Sequence, residues 1–185
     1  MRFWGMVVFG VLGTAILLSL GIWQLQRLAW KQEVLRAIES KILAPAVEIP
    51  QTILPDAHSL LPVRAEGRYK GDTVRVLVSQ KIYGAGYRLI TAFELVDGRT
   101  IMLDRGFTSV RSEIPSTPEG RGQVIGNLQW PQEIDSFTPE NDLAANIWFA
   151  RDVARLAEHL KAEPVLLVLR DSSFETEAAT PLPKM

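Results

Sequence analysis

No cysteine occurs among the 185 residues, which excludes disulfides, thiolate metal sites, cysteine nucleophiles and a C-x-x-C-H attachment together. It does not fix the compartment, because a disulfide-free fold is stable on either side of a membrane. Histidine is almost as scarce. His58 lies in a proline-rich stretch, His159 lies on the flank of a helical pattern, and neither has a second imidazole at metal-ligand spacing. There is no G-x-S-x-G elbow and no S-x-x-K. Gly84-Ala85-Gly86 lacks the third glycine of a phosphate loop, so a turn feeding a strand is expected there. Net charge is −1 with the basic residues scattered, which leaves no nucleic-acid footprint. With no set of nucleophile, base and oxyanion donors, the chain reads as a non-enzyme.

A further absence is positional: no charged side chain occurs from Phe3 to Gln26. Twenty-four helical residues reach about 36 Å, enough for a hydrocarbon core of about 30 Å. A cleaved signal peptide also opens with a basic residue, here Arg2, but its apolar part runs only about 7 to 15 residues before small residues at a cleavage site. This run is longer and closes on Trp23 and Trp30, whose indoles suit the headgroup layer, with Arg27 and Lys31 extending toward water. A retained membrane anchor over residues 1–31 is therefore expected. Trp23, Arg27 and either Trp30 or Lys31 fall on one helical stripe. That stripe reads either as a simple interfacial collar or as a docking face for another membrane protein.

The rest of the chain is long enough for one domain with its own core. In residues 32–62, Leu35, Ile38, Ile42 and Leu43 keep helical spacing among charges, so the anchor helix continues or a short second helix follows. Pro45, Pro50, Pro55 and Pro62 then predict a loop. Residues 63–172 read as a β-rich extramembrane domain, with strands expected at 63–69, 73–79, 88–96, 99–104 and 123–129. Asp97-Gly98 predicts a hairpin with a two-residue loop, setting Val96 opposite Arg99 and Phe93 opposite Met102. A helix is expected from the cap Asp152 through Val153, Leu156, Ala157 and Leu160 until Pro164, with His159 solvated beside its apolar stripe. Residues 165–169, all apolar, suit a strand buried on both faces. The fold class is thus α+β: an N-terminal transmembrane helix, then a mainly antiparallel β-sheet with one or two short helices. Asp104-Arg105 and Arg151-Asp152 are adjacent opposite charges, read as structural because neighbours on a strand point to opposite faces.

Several blocks occur in a particular order. They are Gly21-x-Trp23-Gln24-x-x-Arg27-x-x-Trp30-Lys31, Gly86-Tyr87, Asp104-Arg105-Gly106-Phe107, Phe137-Thr138-Pro139-Glu140-Asn141, Trp148-x-x-Arg151-Asp152 and Lys161-Ala162-Glu163-Pro164. Together, over residues 21 to 172, they resemble the Surfeit locus protein family of cytochrome c oxidase assembly factors.

The resemblance implies two membrane spans flanking a domain on the outer face of the bacterial plasma (inner) membrane or the mitochondrial inner membrane. The implied role is to help build the haem a-containing subunit I of haem-copper oxidase, by delivering haem a or by holding the nascent subunit open, alongside other oxidase assembly factors. Gly21, Trp23, Gln24, Arg27, Trp30 and Lys31 become the candidates for partner or haem contact. Gly86, Tyr87, Asp104, Arg105, Gly106, Pro139, Asn141, Trp148, Arg151 and Asp152 become structural motif residues of the β domain. The family's second span opens with an Asn-x-His-Leu-x-Tyr-like segment holding the proposed haem-ligating histidine. The sequence stops at Met185 before it, so the tail 173–185 is expected to lead toward that span, in a truncated, trimmed or one-span form. Arg2 on one side against Arg27, Lys31, Arg36 and Lys41 on the other would place the domain in the cytoplasm. The resemblance implies the reverse and is followed here. The other readings are a membrane-tethered β-rich binding module for an envelope protein or small ligand, unrelated to respiration, and a domain secreted by signal cleavage.

Overall fold

The computed structural model describes residues 2–174, in two compact units divided after Leu43. The first unit is one helix, α1 (Arg2–Ile42, 41 residues), about 60 Å long at 1.5 Å per residue. No proline or charged cluster interrupts it before Pro45, so residues 31–42 continue the helix rather than starting a second one. Its apolar side chains are open to the surroundings, with Phe3 72% and Phe9 80% exposed. By length and composition α1 can cross a membrane.

The second unit is built on a sheet of seven strands, β1 (Val47–Glu48), β2 (Pro62–Gln80), β3 (Gly84–Leu95), β4 (Thr100–Ser109), β5 (Gly122–Gln129), β6 (Ile147–Trp148) and β7 (Leu166–Ser172). Two short helices join it, α2 (Pro55–His58) and α3 (Val153–Leu160). The path β2-β3-β4-β7-β5 returns to β2 through a β2–β5 ladder, so the sheet closes on itself. Most ladders are antiparallel; β7 runs parallel to β4. The α+β expectation therefore holds, and the closure gives the sheet an inside.

Inside lie Val63, Phe93, Ile101, Leu103, Val124 and Leu167. On the outer face Val74, Val76, Ile90, Met102 and Leu166 pack beneath Trp148 and the apolar face of α3, made by Val153, Leu156 and Ala157. Leu166 and Leu167 thus serve opposite faces, as a strand buried on both sides requires. The tail expected at 173–185 lies outside the described residues from 175 onward.

The structure differs from the sequence expectations in several places: Gly84-Ala85-Gly86, expected as a turn, opens β3, and β4 runs on to Ser109 past the expected end at 104. The strands expected at 63–69 and 73–79 are one strand, β2, bent by an irregularity between Lys70 and Thr73 where Gly71 has φ 73°. The expected loop at 44–62 contains β1 and α2; Pro55 starts that helix because its first turn needs no N–H from proline, and His58 Nδ1 accepts from Leu54 N–H at 2.9 Å. The helix expected from Asp152 through Leu160 forms as α3, and Lys161, in the left-handed conformation at φ 53°, caps it short of Pro164.

The Asp97-Gly98 hairpin forms, but its pairing is one residue from the expected one. Phe93 faces Ile101, and Ala92 faces Met102. Leu95 N–H donates to Arg99 O, and Gly98 at φ 88° donates to Leu95 O, making a three-residue loop with glycine in the left-handed position. A two-residue loop would have paired Phe93 with Met102, whose burial sites lie on opposite faces of the sheet.

Candidate functional site

Gly21, Trp23, Gln24, Arg27, Trp30 and Lys31 all lie exposed on α1. Of these, Trp23 and Arg27 come together: the Arg27 guanidinium lies 5.4 Å from the Trp23 ring centroid. The spacing i, i+4 places the cation over the indole. A Cβ added at Gly21 would meet nothing within 4 Å, so no packing among the described residues demands that glycine.

Of the motif residues of the β domain, Gly86, Asp104, Gly106 and Arg151 meet around the end of the β3–β4 ladder. Ile90 faces Asp104 and Arg88 faces Phe107, so β4 carries one more residue than β3 across this step. Gly106, at φ 110°, absorbs the bulge. Its N–H donates to Asp104 Oδ1 at 3.0 Å, while Arg88 Nε donates to Oδ2 at 2.6 Å. Gly86 sits beside this bulge, where a Cβ would strike the Phe107 ring and the Thr108 carbonyl.

Asp104 and Arg105 point to opposite faces and do not pair with each other. Arg151 approaches Asp104 at 3.7 Å and binds Glu133 three ways: through its backbone N–H at 2.9 Å, through Nε at 2.9 Å, and through Nη2. Asp152 caps α3 by accepting from Arg155 N–H at 3.2 Å. Asp104 and Arg151 therefore find charged partners across the fold, while Asp152 pairs locally with Arg155.

Burial pushes the Glu133 carboxyl up, but the hydrogen bonds and charge of Arg151 outweigh it and hold Glu133 below its ordinary range. Burial lowers Arg151, and Glu133 and Asp104 more than restore it. Glu133 and Arg151 are thus both held in their charged forms, and their bonds fasten the 131–138 segment to the closed sheet.

Arg105, fully buried, lies 5.3 Å from the Tyr69 ring and donates to Pro115 O at 3.3 Å and Ser116 O at 2.7 Å. Tyr87 supports Arg75, whose guanidinium lies 5.3 Å from its ring and also binds the Asn146 and Ala145 carbonyls. Trp148 is buried against α3, with His159 edge-on at 5.4 Å. Asn141 Oδ1 accepts from Phe149 N–H at 3.1 Å, whereas Pro139 is exposed. Arg88 and Glu133 were not singled out from sequence. Arg88 lies two residues beyond Gly86 on the same face, which is a usable signal, while Glu133 lies in an irregular segment with none.

A closed sheet with internally paired charges, joined to one helix long and apolar enough to cross a bilayer, defines a tethered β-barrel-like domain. The chain belongs to the SURF1 family, whose model matches residues 11–184. It is similar to a SURF1-like protein of Rickettsia felis, 26% identical over 152 residues, covering 79% of this chain and 66% of that protein. Surfeit locus protein 1 of Homo sapiens is 29% identical over 182 residues, covering 85% of this chain and 59% of the relative. The protein of the same name from Xenopus tropicalis is 28% identical over 174 residues, covering 80% and 56%. The chain thus spans about six-tenths of the length of the curated relatives it matches.

Haem a is the cofactor that the resemblance implies, and imidazoles are the candidate donors to its iron. The sequence holds two imidazoles, His58 and His159, and neither lies on α1 with the Trp23–Arg27 pair. Nδ1 of His58 is engaged by the α2 backbone, and His159 packs against Trp148. Among the described residues no group of three or more His, Asp or Glu could hold a metal ion.

Proposed function

We propose that this protein is a membrane-anchored, non-enzymatic assembly factor for haem-copper cytochrome c oxidase, assisting subunit I during its maturation and its acquisition of haem a. The observation that carries this reading is the Arg27–Trp23 pair, 5.4 Å apart on an exposed apolar helix within the family-matched residues. Arg27 and Lys31 offer donors to carboxylates at the membrane surface, and Trp23 and Trp30 offer flat apolar faces to a partner helix or a haem edge. No iron ligand is supplied by this collar. Contact with subunit I, together with other assembly factors, is the role it suits. The anchor belongs in a bacterial plasma membrane or the mitochondrial inner membrane, with the β domain on the periplasmic or intermembrane-space side.

Loss of the gene should lower assembled haem a oxidase while other respiratory complexes stay at normal levels. Restoring the gene with Trp23→Ala and Arg27→Glu together should leave oxidase low although the protein still co-fractionates with membranes. Normal oxidase in the deletion strain removes the proposal.

A second reading, a tethered binding module with no respiratory role, draws on Phe137. That ring is 89% exposed in a loop held by Asp135, which accepts from Phe137 N–H at 2.9 Å. Co-purification separates the two: oxidase subunit I in the first case, an unrelated envelope protein in the second.

A further inference from the structure

The β2–β3 turn and the start of the segment after β4 form one apolar projection. Ile82 is 81% exposed, Tyr83 is 50% and Val110 is 46%. Val110 N–H donates to Ala85 O at 3.3 Å, which places the two segments side by side. Tyr83 is braced from below by Phe107 at 5.9 Å. Lys81 and Arg111 flank the projection; both are exposed, and among the described residues neither enters an ion pair. Exposed Glu113, two residues past Arg111, is the nearest acid along the chain.

A second exposed apolar group, Ile134, Phe137 and Leu143, has the opposite surroundings, with Glu133, Asp135, Glu140 and Asp142 interspersed. Negative charge there opposes an anionic lipid surface. The Ile82–Tyr83 projection instead combines an aliphatic tip, an interfacial phenol and two cations on long stems, the chemistry of the boundary between anionic headgroups and acyl chains.

We propose that this projection dips into an anionic bilayer surface as a second membrane contact, independent of α1. The inference rests on the reading of α1 as a membrane anchor. A contact of this kind would restrict the domain's rotation about its tether.

The absence of native cysteine makes the test clean. The full chain carrying Ile82→Cys, labelled with an environment-sensitive fluorophore, is reconstituted into phosphatidylglycerol–phosphatidylcholine vesicles or pure phosphatidylcholine vesicles containing a quencher-bearing lipid. The label should be quenched and blue-shifted in the anionic vesicles. Lys81→Glu with Arg111→Glu should lower its inserted-to-free ratio by at least about thirtyfold, roughly fivefold for each cation lost near the surface, with the added carboxylates lowering it further. A label at Phe137→Cys should stay in water throughout. Equal, unquenched signals from Ile82→Cys in both lipids, or quenching that ignores the two charge reversals, would overturn the proposal. Flotation of the chain with both kinds of vesicle reports the α1 anchor separately, so its failure is distinguishable from failure of the projection.

Discussion

Arg88 donates through Nε to Oδ2 of Asp104 at 2.6 Å, across the step where β3 and β4 fall out of register. Both residues are almost wholly buried, and the Gly106 N–H occupies the other carboxylate oxygen. The bulge and the ion pair therefore depend on each other. Asp104→Ala leaves a buried guanidinium without its nearest anion, and should cost about 3–5 kcal/mol in urea unfolding. Arg88→Met, which removes the other charge, leaves Asp104 with Gly106 and the longer contact to Arg151. The double variant Arg88→Met with Asp104→Leu should be more stable than Asp104→Ala alone. Equal destabilisation in both would mean that the pair's charges do not interact.

Glu133 holds the segment before Arg151, and its pKa is lowered below the ordinary 4.5, since the Arg151 hydrogen bonds outweigh the upward push of burial. A lowered folded-state pKa means that the unfolded chain binds the proton more tightly. The stabilisation is full above the unfolded value and is lost as pH falls through the folded one. Glu133→Gln should therefore cost about 1 kcal/mol at neutral pH, a modest figure because the side chain keeps contact with solvent, and should cost less as the solution is acidified. Urea midpoints measured from about pH 3 to about pH 7 read this directly. A gap between the two proteins that stays constant across the range contradicts the assignment.

Gly86 has backbone and ring at the place a Cβ would occupy, the Thr108 carbonyl and the Phe107 ring. The carbonyl belongs to the β4 ladder and cannot swing away as a side-chain tip could. Gly86→Ala should cost about 2–3 kcal/mol, and Phe107→Leu should recover only the part due to the ring. Thermal unfolding of the single and double variants gives both terms.

The capping Asp152, the apolar face of α3 and the buried strand expected at 165–169 were legible because each is a local pattern of at most eight residues. The long apolar helix was legible because its uncharged run, from Phe3 to Gln26, is continuous in sequence. Closure of the sheet was not, since the β2–β5 ladder joins Gly67 to Gly122, partners that share no local signal. The pairing of Asp104 with Arg88 and Arg151 likewise depends on closure. Sequence offered Asp104-Arg105 as neighbours, and the alternation of a strand told only that they would part. Turn length decided the hairpin: Asp-Gly fits both two- and three-residue loops, and the choice fell to whichever register buried Phe93 beside Ile101. The collar on α1 was visible as a pattern, and the structure adds the contact between Trp23 and Arg27.

Arg105 turns inward from the same bulge, is fully buried, and spends its hydrogen bonds on two carbonyls of the segment between β4 and β5, Pro115 and Ser116. The Tyr69 ring stacks beneath it at 5.3 Å, and Tyr69 in turn packs against Phe93 and Phe174 at 5.3 and 5.2 Å. Arg105 therefore links the 110–121 segment to the aromatic part of the barrel interior. Arg105→Ala removes two hydrogen bonds, a ring contact and side-chain volume at once, and should cost about 2–4 kcal/mol. Arg105→Lys keeps a charge but cannot span two carbonyls while stacking flat, so it should recover less than half of that. Amide hydrogen exchange distinguishes this role from general loss of stability. In Arg105→Lys, protection should fall first in residues 110–121, while the α3 amides, which pack on the opposite face of the sheet, keep theirs until global unfolding. Uniform loss of protection across α3 and residues 110–121 would show that Arg105 serves the core as a whole and does not hold that segment in place.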